Sequence, residues 1–294
     1  MIFEYNIISD DVLKYITIND ILIKKLYFST RLKSKLIKSK NILCNGKIVN
    51  TNSKINLNDV ISIDFSYFED NSNIIPTEMN LDIVYEDEWL LILNKPPKMS
   101  IHPSTNHVGN SLSNSVKYYF DTIGLNKKIR PVNRLDIDTS GLTVFAKCEY
   151  IQGCFSKQMS ENIFQKEYLC ITNTIPKEAK GIINLPIGRN DNSIIERCIC
   201  QNGKPSITHY EILKSDFEKN IALVKCILKT GRTHQIRVHM KSIGSPLLGD
   251  TLYGSTSPLI DRQALHSHIL KFIHPITHIP MTFVSNIPID MNIF

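Results

Sequence analysis

The chain has 294 residues, 42% hydrophobic and 21% charged, with 34 lysines and arginines against 28 acids and a formal net charge of +6. This is the make-up of a globular protein with ample core, and no apolar run reaches the roughly 18 residues of a membrane span, which excludes an integral membrane protein of the helical kind. The excess of base favours a polyanionic partner, and the N-terminal MIFEYNIISDD, with acids where a signal peptide needs a basic and then an apolar region, points to the cytoplasm.

Taken in chain order, the first informative stretch runs from Ile21 to Lys54, which carries nine basic residues and no acid. Its field suits a nucleic-acid backbone, with Arg31, Lys33, Lys35 and Lys38 as candidate contacts; the alternative is a solvated helix face. Ser29 or Thr30 can cap a helix in which Leu32, Leu36 and Ile37 recur at helical spacing. Asn45-Gly46 then marks a turn between two β-like runs, so the segment reads helix, hairpin, strand. The polar stretch 66 to 80 places a domain boundary near residue 75, giving a small domain over 1–75 and a larger one over 76–294.

In the larger domain, strands are expected at Leu90 to Leu93, Leu142 to Ala146, 166–171, 207–213 and 221–228, and helices at Ser111 to Tyr119 and from about Thr233. Several neighbouring strands are joined too tightly for crossovers, so an α+β fold with a mixed, largely antiparallel sheet and flanking helices is predicted. The seven cysteines are scattered without a C-x-x-C pair and read as free thiols; Cys198-x-Cys200 and His266-x-His268 are single pairs, so no metal is expected.

Two stretches concentrate chemistry. In PVNRLDIDTSGLTVFAK, Asp136 sits with Arg134 in a polar loop directly before an apolar strand, a usual place for a reacting group; the competing reading is an Asx turn, which suits Asp138 better. In LKTGRTHQIRVHMKSIG, Thr233 can cap a helix whose Ile236, Met240 and Ile243 face the core, leaving His234, Arg237 and Lys241 on another side. An arginine there that meets a buried carboxylate keeps it ionised. His234 and His239 are read either as general bases or as packing histidines. On the strand QKEYLCI a period of two aligns Lys166, Tyr168 and Cys170; Tyr168 is either core or an aromatic plane that stacks a nucleobase.

Five motifs in order, YEDEWLLILNKPPKMSIHPS, NRLDIDTSGLTVFAK, KEYL, GRTHQIRVHMKSIGSPLLGDTLYG and RQALHSHIL, make residues 80 to 285 resemble the bacterial RNA pseudouridine synthases typified by RluA and RluD, which act on ribosomal or transfer RNA. RLKSKLIKSKNILCNGKIV is similar to the S4-type RNA-binding domain often joined to them. The resemblance implies a pseudouridine synthase fold around a cleft with an N-terminal S4-like α/β domain, a monomer, and no cofactor. It implies that Asp136 is the catalytic aspartate, Tyr168 the tyrosine at the target uracil and Arg237 the basic partner of the carboxylate. By the same match Arg134 helps displace the target nucleotide, and Lys166 and Arg232 are expected at the phosphates. Two positions depart from the family pattern: Asn133 stands where many members have His, and Lys98 where many have Gly.

The chemistry explains the residue types. Isomerising uridine cleaves its N1 to C1′ bond and joins C5 to C1′ without change of redox state, which calls for an ionised carboxylate attacking sugar or base, or abstracting a ribose proton. The nucleotide has to leave its stack, at a few kcal/mol. A catalytically inactive RNA-binding or ribosome-assembly factor on the same fold is the alternative; a carboxylate glycosidase lacks an evident second acid.

Overall fold

The computed structural model describes residues 1–104 and 108–294. Its first 65 residues build a four-stranded sheet in the order β1-β4-β2-β3, from β1 (Ile2–Asn6), β2 (Ile42–Cys44), β3 (Lys47–Ile48) and β4 (Val60–Asp64). Helices α1 (Ser9–Lys14), α2 (Ile18–Asp20), which runs on into a π-helical turn, and α3 (Thr30–Lys38) complete the unit. Ser29 Oγ accepts the Leu32 amide at 3.1 Å and caps α3, relieving one of the amides a helix start leaves unpaired. Leu32 and Leu36 turn inward, whereas Ile37, read as part of the same stripe, is exposed. Between β2 and β3, Asn45 and Gly46 both take positive φ (50° and 75°), the two-residue turn whose twist matches the strands it joins.

The rest of the chain forms a nine-stranded sheet. Its strands are β5 (Ile83–Glu86), β6 (Leu90–Lys95), β7 (Ser140–Ala146), β8 (Gln165–Thr172), β9 (Lys180–Asn184), β12 (Ile207–Asp216), β13 (Ile221–Leu228), β14 (Leu265–Ile273) and β15 (Pro280–Val284), while β10 (Ile187–Arg189) and β11 (Arg197–Ile199) make a separate hairpin. Helices α4 (Leu112–Thr122), α5 (Glu149–Ser160) and α6 (Gln235–Ser242) flank it. The sheet order is β5-β6-β7-β14-β8-β13-β12-β9, with β15 added beside β14. Every strand pairing in it is antiparallel except β7 with β14, so the fold is α+β with a largely antiparallel sheet.

That one parallel contact is brief, pairing Ser140 with His266 and Gly141 with Ser267 before β15 takes over as the neighbour of β14. Gly141 is required there. Its φ is 105°, and a Cβ would lie 2.3 Å from the Ser267 carbonyl oxygen. The Ser-Gly break before the apolar run therefore marks the point where two central strands part, and the Asp136 loop enters the sheet at that point. No helix among the described residues is long and apolar enough to cross a membrane.

The two sheets share one core. Phe65 stacks on Tyr150 of α5 (5.7 Å, 7°) and meets Trp89 edge-on at 6.1 Å, while Phe28 packs on the same Tyr150 at 4.4 Å. Residues 66 to 71, read from sequence as a polar connection, are pinned rather than loose. Arg130 grips both oxygens of buried Glu69 (2.7 and 2.8 Å), Lys35 bridges Glu69 and Glu149 (3.1 and 3.0 Å), and Lys127 donates to the carbonyls of Phe65 and Tyr67. Burial alone would push Glu69 up, but Arg130 and Lys35 hold it at about 2, below its ordinary 4.5.

Because that folded value lies below the unfolded one, the pair stabilises fully above pH 4.5 and its contribution is lost as pH falls through about 2. The gap corresponds to about 3 kcal/mol. Arg130→Met should cost a similar amount by leaving a buried carboxylate short of its main partner. Urea unfolding at pH 7 and pH 3 checks both: the loss in the variant should be large at pH 7 and shrink at pH 3.

Candidate active site

At the parting of β7 and β14 lies a cleft of about 810 Å³, walled by the loop before β7, the last turn of α5, the start of β8 and the segment from the end of β13 into α6. The Asp136 loop is held from behind by two buried cations. Lys95, at the end of β6, donates to the carbonyls of Pro96, Met99 and Ile137, each at 2.8 Å; burial pulls its pKa down to about 7. Arg262 donates to the Asp138 carbonyl at 2.8 Å and is itself neutralised by Asp290 near the C-terminus. The two residues after Asp136 are thus fixed by their backbone oxygens, which leaves the carboxylate itself to face the cleft.

Asp136 is part-buried, its side chain 24% exposed. Arg237 Nη1 donates to its Oδ2 at 3.2 Å, and His234 Nε2 stands 4.0 Å from the same oxygen. The other edge of the Arg237 guanidinium is occupied by Asp250, a fully buried carboxylate that accepts Nε at 2.7 Å and Nη2 at 2.8 Å. Burial works against the Arg237 charge, but the two carboxylates outweigh it and push its pKa up.

Helix α6 begins at Gln235 and not at Thr233. The residue before it, His234, takes a left-handed conformation (φ 57°, ψ 19°), so no Thr cap forms; the helix start carries no side-chain cap, and Gln235 Oε1 instead accepts the amide of Arg232 in the preceding loop at 3.0 Å. This reversal carries the His234 ring toward Asp136, with Nδ1 2.9 Å from the Tyr253 hydroxyl. Burial keeps the pKa of His234 low despite Asp136 nearby. His239 faces away from the cleft, joined to Thr208 at 2.8 Å and to the Leu185 carbonyl at 3.0 Å, a packing histidine.

Tyr168 is 5% exposed and lines the cleft, so it belongs to the core and to the site at once. Burial, with Asp136 beside it, pushes its phenol well above the usual range, so it stays neutral. Lys166 and Arg232 also line the cleft, as does exposed Arg134. The Lys166 ammonium lies against Gly231, and burial lowers its pKa; Arg232 Nε holds the Pro205 carbonyl at 3.2 Å.

The four basic candidates on α3 fare differently. Arg31 and Lys38 are exposed, Lys33 reaches Asn19, and Lys35, its side chain 39% exposed, bonds Glu69 and Glu149 and lies over the Tyr67 ring. Asn133 spends its amide on the backbone of β7, accepting Val144 N and donating to Leu142 O. Lys98 has φ 60°, a conformation glycine takes without penalty, and ion-pairs with Asp261 at the surface.

Sequence reasoning missed Lys95, Arg262 and Asp250. Each lies inside a quoted motif, and for Lys95, closing an apolar run, and Asp250, next to a glycine, the signal was available, since a charged residue at such a place is costly unless it is paired; Arg262, between Asp261 and Gln263, carries no such signal. Lys95→Met, of similar volume, should leave three carbonyls without their donor and lower stability by about 3 kcal/mol in urea melts; a change under about 1 kcal/mol would mean that the loop holds without it.

Comparison with known proteins bears on what the cleft does. Residues 89–242 match the family described as RNA pseudouridylate synthase. A Bacillus subtilis (strain 168) protein described as an uncharacterized RNA pseudouridine synthase, YhcT, is 37% identical over 250 residues, 85% of this chain and 82% of that one. The ribosomal large subunit pseudouridine synthase D of Escherichia coli (strain K12) is 33% identical over 280 residues, 90% of this chain and 84% of that one. Among solved structures, human RNA pseudouridylate synthase domain containing 1 superposes with a TM-score of 0.59 at 27% identity, over 72% of this chain and 86% of the human one.

Proposed function

This chain belongs to the RNA pseudouridylate synthase family, isomerases that act on RNA, and we propose that it converts a uridine of ribosomal RNA to pseudouridine through Asp136. The observation that carries the reading is the 3.2 Å bond from Arg237 to a carboxylate that is otherwise open to an enclosed cleft. A guanidinium at that distance pairs with the carboxylate and orients it, and a positioned carboxylate oxygen is what attack on the sugar or base, or removal of a ribose proton, requires. The ribosomal target follows the name of the Escherichia coli relative.

A uridine within a helix cannot reach Asp136, so the nucleotide enters everted, and its base lies against Tyr168. The apolar side chains of Leu135, Leu228, Ile236 and Leu265 line the same cleft, so the severed sugar is met by carbon rather than water. Arg134 fills the space the nucleotide vacates, and Lys166 and Arg232 hold flanking phosphates. Residues 1–75 serve as an S4-like RNA-binding unit in which exposed Arg31 and Lys38, with half-buried Lys33 between them, lengthen the footprint. Tyr27 of that unit carries the Lys157 ammonium over its ring, and Lys157 belongs to α5, whose last turn borders the cleft. The two surfaces are therefore neighbours.

Asp136→Asn should abolish pseudouridine formation in ribosomal RNA while leaving RNA affinity within about twofold; a variant that still modifies RNA would sink the mechanism. Replacing Arg31, Lys33 and Lys38 together by Gln should weaken RNA binding and reduce the slope of log affinity against log salt by about 2, with single-turnover chemistry at saturating RNA unchanged. Filter binding at several salt concentrations reads this out, and an unaltered slope would remove these residues from the interface.

A further inference from the structure

Arg237 meets two carboxylates in unequal ways. Asp250 takes two parallel bonds along the Nε and Nη2 edge, the strong paired geometry, while Asp136 receives one longer bond from Nη1. Asp250 is itself immobile. It is fully buried, its Oδ1 also accepts the amides of Leu252 and Tyr253 (3.1 and 3.2 Å), and Gly249 before it has φ 71° in a site where a Cβ would lie 2.2 Å from the Arg262 carbonyl oxygen. The Tyr253 ring covers the guanidinium at 5.0 Å. An arginine free of such restraint would turn its paired edge to whichever carboxylate it met, engaging both oxygens.

We propose that Asp250 is a positioning residue for the reaction: by occupying the paired edge of Arg237 it limits Asp136 to a single bond on Oδ2 and leaves Oδ1, which accepts no hydrogen bond among the described residues, free for the nucleotide. The proposal rests on the reading of Asp136 as the reacting carboxylate. A carboxylate bonded at both oxygens is a weaker nucleophile and a weaker base, so what Asp250 supplies is reactivity rather than affinity. The charge arrangement agrees: two anions share one buried cation, and the one left with the weaker bond is the one in the cleft.

The test uses the full-length chain and an RNA substrate known from the modification assay. Asp250→Asn keeps the shape and one acceptor for the turn but removes the charge and sets an amide NH₂ against the guanidinium; Asp250→Glu keeps the charge and displaces it by a methylene. Each should lower the single-turnover rate at saturating RNA by about a hundredfold, with RNA affinity within about twofold of the native chain. Combining Asp250→Asn with Arg237→Lys should give a rate no more than about threefold below the slower single variant, because both changes act through one guanidinium. Losses that multiply, rates within threefold of native, or failure of both Asp250 variants to fold would overturn the proposal, the last by marking a purely structural anchor. Activity surviving in Asp136→Asn would instead overturn the reading beneath it, so the two failures are told apart.

Discussion

One buried guanidinium organises the part of this molecule around the cleft. Arg237 is 6% exposed, and a cation so enclosed is tolerated only where anions meet it with good geometry. Meeting that demand fixes the turn after Gly249, the pitch of α6 and the loop before β7, because one carboxylate comes from each side of the cation. The cleft is the space left between these fixed parts. Asp136, proposed as the reacting carboxylate, is the point at which a structural requirement for neutralisation is met incompletely.

The same economy holds the loop in place from behind. Asp136 does not sit on a free hinge: the carbonyls of the next two residues are gripped by Lys95, at the end of β6, and Arg262, in the bend before β14. The loop, a turn in which the Thr139 amide donates to the Asp136 carbonyl at 3.1 Å, thereby gains the rigidity of the sheet. That is what a reacting group needs if its oxygen is to meet a nucleotide within a few tenths of an ångström.

Much of this was legible in the residues. The strands around Leu90, Leu142, Tyr168 and Val224 announced themselves because both faces are buried, so long apolar runs appear; α4 did so through its helical spacing after Ser111. Asp136, Tyr168 and Arg237 were brought together by a family pattern and not by periodicity, and the geometry supplies what a pattern lacks, a distance and a partner. Helix α5 was overlooked, since Gly153 and a mixed polar sequence weaken its stripe, and it is held mainly by Tyr150, Ile151 and Phe155 against other elements. The start of α6 was misplaced because a left-handed histidine has no signature in sequence. Lys35 looked like its basic neighbours, and only the position of Glu69 and Glu149, 34 and 114 residues away, reveals that it is paired with two acids. Long-range pairing of this kind is invisible to any local reading.

The aromatic seam of Phe28, Phe65, Trp89 and Tyr150 has a bearing on how such a molecule can change over time. Units strung on a loose tether can be exchanged wholesale, since nothing in the recipient is shaped to fit them. Here the first 65 residues lend two rings to a cluster completed by Trp89 and by Tyr150 of α5, so a foreign replacement would strand bare aromatic surface and orphaned charges on the recipient. A substitution in the first 65 residues that keeps this seam intact is therefore one on an outward side chain, with the inner face left as it is.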